Sequence, residues 1–180
     1  MAEHTYRYVI VGAGLTGGAA VEGIREMDSD GPILLIGDER HLPYNRPDLT
    51  KKLWSGKKTV EQVFVHDGQY YLNNGVDLAL GDRAVALDEK QKLVVDSSGR
   101  GYHYEKLLLA TGAIPRSLPV PGSDLEGISY YRNLDDYVRV RTEATEGKSA
   151  LVVGGGFIGS EIAAALNMNG VNVTMVFPTP

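Results

Sequence analysis

Two short stretches of this 180-residue sequence have the residue types and spacing to hold a phosphate. In VGAGLTG, Gly12, Gly14 and Gly17 occupy the glycine positions of a G-x-G-x-x-G turn, and in VGGGFIG, Gly154, Gly156 and Gly159 do the same. The first glycine permits a tight turn out of a strand, the second lets backbone approach a pyrophosphate, and the third allows close helix packing. A helix opening at the turn then aims backbone N–H groups at the anion. A bare glycine turn is a weak signal, and the first motif is strengthened by its context. Strand, turn, helix and second strand follow in order, and Asp38 and Glu39 stand about twenty residues after Gly17, where a carboxylate can bind ribose hydroxyls. The same two acids also read as solvating charges on a loop. At the second motif Phe177, Pro178 and Thr179 hold that place, with no arginine nearby to favour a 2′-phosphate, so its nicotinamide preference is open. Two such units in one chain are most economically an FAD site served by NAD(P)H, with hydride passing to the flavin.

The inventory excludes other chemistries. With no cysteine, these residues offer no disulfide framework, thiolate metal site or redox dithiol. The four histidines, His4, His41, His66 and His103, lack ligand spacing, and no metal is expected. A formal net charge of -5 argues against nucleic-acid and anionic-membrane partners, and the basic run Lys51 to Lys58 reads as a solvated surface. The N-terminus carries Glu3 where a secretory signal would be basic, and no apolar run approaches the ~20 residues that span a bilayer, so a cytoplasmic protein is expected.

The elements that must position these residues are an α/β set. Tyr6 to Val11 reads as a buried parallel strand, Ala19, Ala20, Ile24 and Met27 recur at helical spacing, and Ile33 to Ile36 is a second strand. After a proline-punctuated loop, a short helix is predicted around Lys51 to Trp54 and another around Gly68 to Asn73, stopping at Asn74-Gly75. Asp82 to Leu87, Lys92 to Asp96 and Gly101 to Tyr104 read as an antiparallel meander, and Lys106 to Ala110 as a separate strand returning to the parallel sheet. Asn133 with Asp135 and Asp136 signals a helix start, running to about Glu146. Ala150 to Val153, Ile158 to Met168 and Val171 to Phe177 then repeat the opening β-α-β. The expected fold is a doubly wound, Rossmann-like parallel sheet with an antiparallel meander, followed by the first β-α-β of a second Rossmann-like unit. The expected domains are 1–115, binding FAD; 116–147, a linker with the proline-rich Ala113 to Gly122 at its start, and a helix; and 148–180, opening an NAD(P)-binding domain.

The run LPYNRPDLTKKLW, Leu42 to Trp54, carries R-P-x-L-[S/T]-K. With LLLATGAIPRSLP, VVGGGFIGSEIAAAL and MVFP it resembles the FAD-dependent pyridine nucleotide-disulfide oxidoreductases of the ferredoxin-reductase type, especially the apoptosis-inducing-factor-like branch. The resemblance implies that Gly12, Ala13, Gly14, Leu15 and Thr16 hold FAD with Asp38 and Glu39 at the ribose. Arg46, Lys51, Val85 and Arg132 lie along the cofactor, with Ala110, Thr111 and Gly112 nearby, and Gly155, Gly156, Phe157 and Ile158 lie under the nicotinamide nucleotide. It further implies that Lys51 sits beside flavin N5, paired with Glu161. By residue type alone these two read as a surface lysine and an ordinary helix glutamate; a cation near N5 would stabilise charge on a reduced flavin, and a carboxylate would hold that cation in place. Thr179 stands where relatives near the apoptosis-inducing factor carry an acid. The implied activity is NAD(P)H oxidation with electrons passed to a ferredoxin or rubredoxin. Since family chains continue well beyond this length, a fragment or shortened form is expected, and a truncated, non-catalytic nucleotide-binding or assembly module is the alternative. Unpaired C-terminal strands would also open the way to a homodimer.

Overall fold

The computed structural model describes residues 4–178. Its chain order is β1 (His4–Val11), α1 (Leu15–Met27), β2 (Ile33–Gly37), α2 (Gly68–Asn73), β3 (Val76–Leu80), β4 (Ala84–Asp88), β5 (Leu93–Asp96), β6 (Gly101–Leu109), α3 (Leu134–Glu143), β7 (Ser149–Val153), α4 (Phe157–Met168) and β8 (Asn172–Val176). The chain forms two compact units, one of residues up to Asn45 with Phe64–Ala113, the other of Arg46–Val63 with the chain from Ile114 onward. Arg46–Val63, which lies inside the span 1–115 read above as one domain, groups with the later chain.

The first unit is a six-stranded sheet in the order β3-β2-β1-β6-β5-β4. Strands β3, β2, β1 and β6 pair in parallel, while β4, β5 and β6 pair antiparallel. Period-two alternation sorts the strand residues between the faces. Ile10, Ile33 and Leu35 join Val21, Tyr71 and Val76 in one cluster with residues of α1 and α2. Val9, Val11, Leu34 and Ile36 join Tyr6, Ala79, Val94 and Tyr102 in another, which includes residues of β5 and β6. Helix α1 lies close to the sheet because its buried positions are Gly17, Gly18 and Val21. The expected α/β, Rossmann-like class with an antiparallel meander is what the chain adopts.

Three local expectations are corrected. The stretch VDLAL forms β3, a strand absent from the sequence reading. Asp77 and Ala79 have weak strand propensity, but pairing with all five residues of β2 holds the segment extended. Gly101 to Tyr104 and Lys106 to Ala110 are not separate strands. They belong to the single strand β6, which pairs antiparallel with β5 through its first residues and parallel with β1 along nearly its whole length. Lys51 to Trp54 is not a helix: a 3-10 turn spans Arg46–Leu49, opened by Pro47, and hydrogen-bonded turns follow. The amides of both Lys51 and Leu53 donate to Asp48 O, which breaks the α-helical pattern.

The second unit has β7 and β8 paired in parallel, with α4 between them in sequence. Asn133 caps α3 in a reciprocal capping box with Asp136. Trp54 ties the early segment of this unit to the later one. Its indole N–H donates to Tyr131 Oη at 2.9 Å, Tyr131 donates to Leu49 O at 2.5 Å, and Tyr137 meets the Trp54 ring edge-on at 5.7 Å. The Arg141 guanidinium lies 5.2 Å over the same ring. Among the described residues, no helix is long and apolar enough to cross a membrane.

The turn between β5 and β6 is organised by Asp96, whose side chain is wholly buried. It accepts hydrogen bonds from the Ser98 and Arg100 amides, the Ser98 and Tyr102 hydroxyls and the Arg100 guanidinium, which also pairs with Asp82. Burial alone would raise its pKa, but the bonds from Ser98, Tyr102 and Arg100 together outweigh that and hold it at about 2. This is below the ~3.9 of an unfolded chain, so the stabilisation is complete above roughly pH 5 and fades as pH falls toward 2. Asp96→Asn should therefore cost about 2–4 kcal/mol at neutral pH, and denaturant midpoints should show the gap to wild type narrowing between about pH 5 and 2.

Candidate cofactor-binding turns and the Lys51–Glu161 pair

At the first glycine motif three stretches of backbone cross within contact distance. The Gly12 amide donates to Ile36 O at 2.8 Å, and the Ala110 amide to Val11 O at 2.7 Å. Gly12 has φ of +120°, and a Cβ there would lie 2.1 Å from Ala110 O. A Cβ at Gly17 would lie 2.0 Å from Gly12 O, and one at Gly37 would lie 2.5 Å from Ala13 Cβ. Only glycine fits this crossing, and α1 consequently begins hard against the strand end. Gly14 is the N-cap of α1, with no side-chain cap and no acid in the first turn. The opening amides of that helix have no intrahelical acceptor, so they face outward as a ready anion site.

The second motif repeats this build. The Gly154 amide donates to Val176 O at 2.8 Å, and a Cβ at Gly159 would lie 2.1 Å from Gly154 O. Gly156 caps α4 with no side-chain bond and no acid in its first turn. The other two helices differ: Asp67 caps α2 by accepting from Tyr70 N, and Asn133 caps α3. Among the four α-helices of the described residues, side-chain caps are thus missing only at the two that follow the glycine turns. One contrast separates the motifs. Gly154 has φ of +112°, yet a Cβ there would meet nothing within 4 Å.

The remaining residues singled out from sequence fall as follows. Asp38 is exposed and accepts from Arg83 at 2.5 Å, and Glu39 accepts from the Tyr44 hydroxyl at 2.5 Å. Ala13, Leu15 and Thr16 lie on or beside the first turn, Ala110 backs it, and Thr111 and Gly112 follow β6 on exposed backbone. Val85 projects from β4 and is largely exposed. In the second unit the Arg46 guanidinium donates to Arg132 O at 2.9 Å, bringing those two together. Gly155 sits under the Phe177 ring, while Phe157 and Ile158 at the start of α4 are exposed. Thr179 lies outside the described residues.

Lys51 and Glu161 meet: Lys51 Nζ is 3.2 Å from Glu161 Oε1. The Thr50 hydroxyl donates to Glu161 Oε2 at 2.5 Å. That bond, followed by the ion pair with Lys51, holds the Glu161 carboxyl below its ordinary range despite some burial. The pair sits at the side of a recess of about 210 Å³, whose lining includes Trp54, Ala165 and Met168. Thr50, Arg83 and Tyr44, the partners of the singled-out acids, were not legible from sequence. Each is joined to its acid only by folding, apart from Tyr44, which lies five residues from Glu39.

Glycine-crossed strand ends, uncapped helices and a mixed sheet define an α/β protein of the dinucleotide-binding class. More particularly, residues 6–180 match the pyridine nucleotide-disulphide oxidoreductase family, and the chain belongs to it. It is 37% identical over 172 residues to a rubredoxin-NAD(+) reductase of Pseudomonas putida, covering 96% of this chain and 45% of that protein. Monodehydroascorbate reductase 2 of Arabidopsis thaliana is 38% identical over 194 residues, covering 99% of this chain and 45% of that protein. The fold is likewise similar to the covalent putidaredoxin reductase-putidaredoxin complex, at a TM-score of 0.87 and 33% identity, covering 94% of this chain and 42% of that one. The chain thus spans about 45% of the length of these two curated relatives. The resemblance drawn from R-P-x-L-[S/T]-K and its companion motifs agrees with these matches.

The two turns supply an internal control. Alanine at Gly154 should cost only backbone strain, about 1–2 kcal/mol, whereas alanine at Gly12 adds a clash with Ala110 O and should cost about 3 kcal/mol or more. Denaturant midpoints of Gly12→Ala and Gly154→Ala, followed by hydrogen exchange in β1 and β7, would check the order. Equal losses would mean that the crossing at Ala110 is not what demands glycine.

Proposed function

We propose that this chain carries the FAD-binding part, and the opening of the NAD(P)-binding part, of an oxidoreductase that passes electrons from NAD(P)H to a carrier protein of the ferredoxin or rubredoxin type. The observation that carries this reading is the pair of uncapped helix N-termini, α1 and α4, each following a glycine turn so tight that a Cβ at Gly17 or Gly159 would collide with the carbonyl of Gly12 or Gly154. Such a cradle fits a pyrophosphate. The relatives named as rubredoxin and ferredoxin reductases support the electron-carrier assignment. In domain terms, residues 1–115 would bind FAD, 116–147 would link, and 148–180 would open the nicotinamide domain.

FAD, when bound, supplies hydride acceptance and electron release. The rest falls to the chain's own residues. Gly12, Ala13, Gly14, Leu15 and Thr16 present backbone amides to the pyrophosphate. Asp38 and Glu39 accept from ribose hydroxyls, with Arg83 and Tyr44 orienting their carboxylates. In the first unit Val85, Ala110, Thr111 and Gly112, and in the second Arg46 and Arg132, would contribute to holding FAD, and Gly155, Gly156, Phe157 and Ile158 would receive the nicotinamide nucleotide. Lys51 supplies a fixed cation to the flavin and Glu161 holds that cation. The sequence holds no cysteine, so these residues offer no dithiol relay between flavin and acceptor.

Titration with FAD, read by quenching of flavin fluorescence, should show binding that Gly14→Val reduces by at least about 100-fold, because the side chain takes the space of the phosphate. Equal quenching by both proteins would reduce the motif to a turn. With NADH as reductant, Lys51→Met should slow single-turnover bleaching of the flavin by roughly 10-fold or more while weakening FAD binding much less. Unchanged bleaching would remove Lys51 from the assignment.

A further inference from the structure

Thr50 is the buried member of the group around Glu161, at 9% exposure, whereas the Lys51 side chain is 56% exposed. Its oxygen lies 2.5 Å from Glu161 Oε2 and 3.3 Å from Pro47 O. Carboxylate and carbonyl both accept, and a hydroxyl has one proton to give, so that proton goes to the nearer and charged oxygen. Glu161 is then held at both ends, Oε2 by Thr50 and Oε1 by Lys51. An exposed lysine-glutamate pair alone is a weak and loosely oriented contact, worth about 0–1 kcal/mol. A short, β-branched side chain with a single stiff torsion is the better anchor.

Local backbone makes this grip possible. Adjacent residues of a helix do not face one another, and those of a strand point to opposite sides. Thr50 and Lys51 follow the 3-10 turn at Arg46–Leu49 and lie in neither element, so both reach the same carboxylate of α4. Among the described residues, Lys51 and Glu161 are the only charged ones lining the recess beside them.

We propose that Thr50 is a positioning residue for Lys51: its hydroxyl fixes the Glu161 carboxylate, and the second oxygen of that carboxylate fixes the lysine ammonium. This rests on the reading of Lys51 as the cation serving the flavin, but the grip itself is testable without any cofactor. With side-chain carboxyl-labelled glutamate, and Glu161→Gln to assign the resonance, the Glu161 titration midpoint should rise in Thr50→Val. It should return close to wild type in Thr50→Ser. Thr50→Ala gives a second hydroxyl-free variant in case valine disturbs folding. A wild-type midpoint in both hydroxyl-free variants, or the same rise in Thr50→Ser, would overturn the proposal. With FAD and NADH, Thr50→Val should slow single-turnover flavin reduction several-fold at unchanged KM for NADH, and Thr50→Ser should restore it. If the midpoint rises as expected while Lys51→Met reduces flavin at the wild-type rate, the grip stands and the flavin reading of Lys51 fails.

Discussion

The end of β1 admits no side chain, and the first unit is arranged around that constraint. Gly12 sits where β1, the residue after β6 and the first turn of α1 pass one another, with Ala110 O and Gly17 against it. Because backbone meets backbone there, the helix starts at the strand end with its amides outward and no side chain to cap them. The packing beneath follows from the same closeness. Gly17 lets α1 approach Leu35, Gly18 lets it approach Pro43, and Ile10, Ile33 and Leu35 gather with Val21 and Tyr71 into one cluster. A crossing needed for folding thus also creates an anion site, so stability and binding make the same demand on these glycines.

The second unit reaches its chemistry by another route. Its glycine turn repeats the helix-to-strand approach almost to the tenth of an ångström, yet the crossing over Gly154 is open where that over Gly12 is filled. Its most organised contacts lie elsewhere, where Trp54, Tyr131 and Leu49 O form a continuous hydrogen-bonded line with Tyr137 and Arg141 on the indole. That line holds Arg46–Val63 against the later chain of the same unit. The turn it holds is the one that presents Thr50 and Lys51 to Glu161.

Buried acids are treated alike in both units, being retained only where donors surround them. Asp96 is enclosed by hydroxyl, amide and guanidinium groups, and the buried Asp48 lies between Lys58 at 2.8 Å and Lys52 at 3.6 Å. Burying a carboxylate without such partners would cost several kcal/mol, of order the stability of a small domain. The basic run Lys51 to Lys58, which reads as solvated surface in the sequence, therefore divides in the structure: Lys52 and Lys58 serve Asp48, while Lys51 serves Glu161.

The sequence by itself determined the features that rest on local backbone chemistry. Both glycine turns, the helices after them, the Asn133 cap and the apolar strands β1 and β2 were legible, because G-x-G-x-x-G spacing, capping residues and hydrophobic period act over a few residues. The motif around Lys51 also marked the lysine and, through resemblance, its partner Glu161. Tertiary structure decided whatever depends on distant pairing. Val76–Leu80 is a strand because β2 lies beside it, and β6 is continuous because β1 pairs along nearly its whole length while β5 pairs with its first residues. Arg83 was invisible beside Asp38, and Thr50 beside Glu161, since 45 and 111 residues separate those partners. A turn in place of the expected helix at Lys51 follows for the same reason: local propensity favours a helix there by tenths of a kcal/mol, and hydrogen bonds to Asp48 O and packing of Trp54 outweigh it.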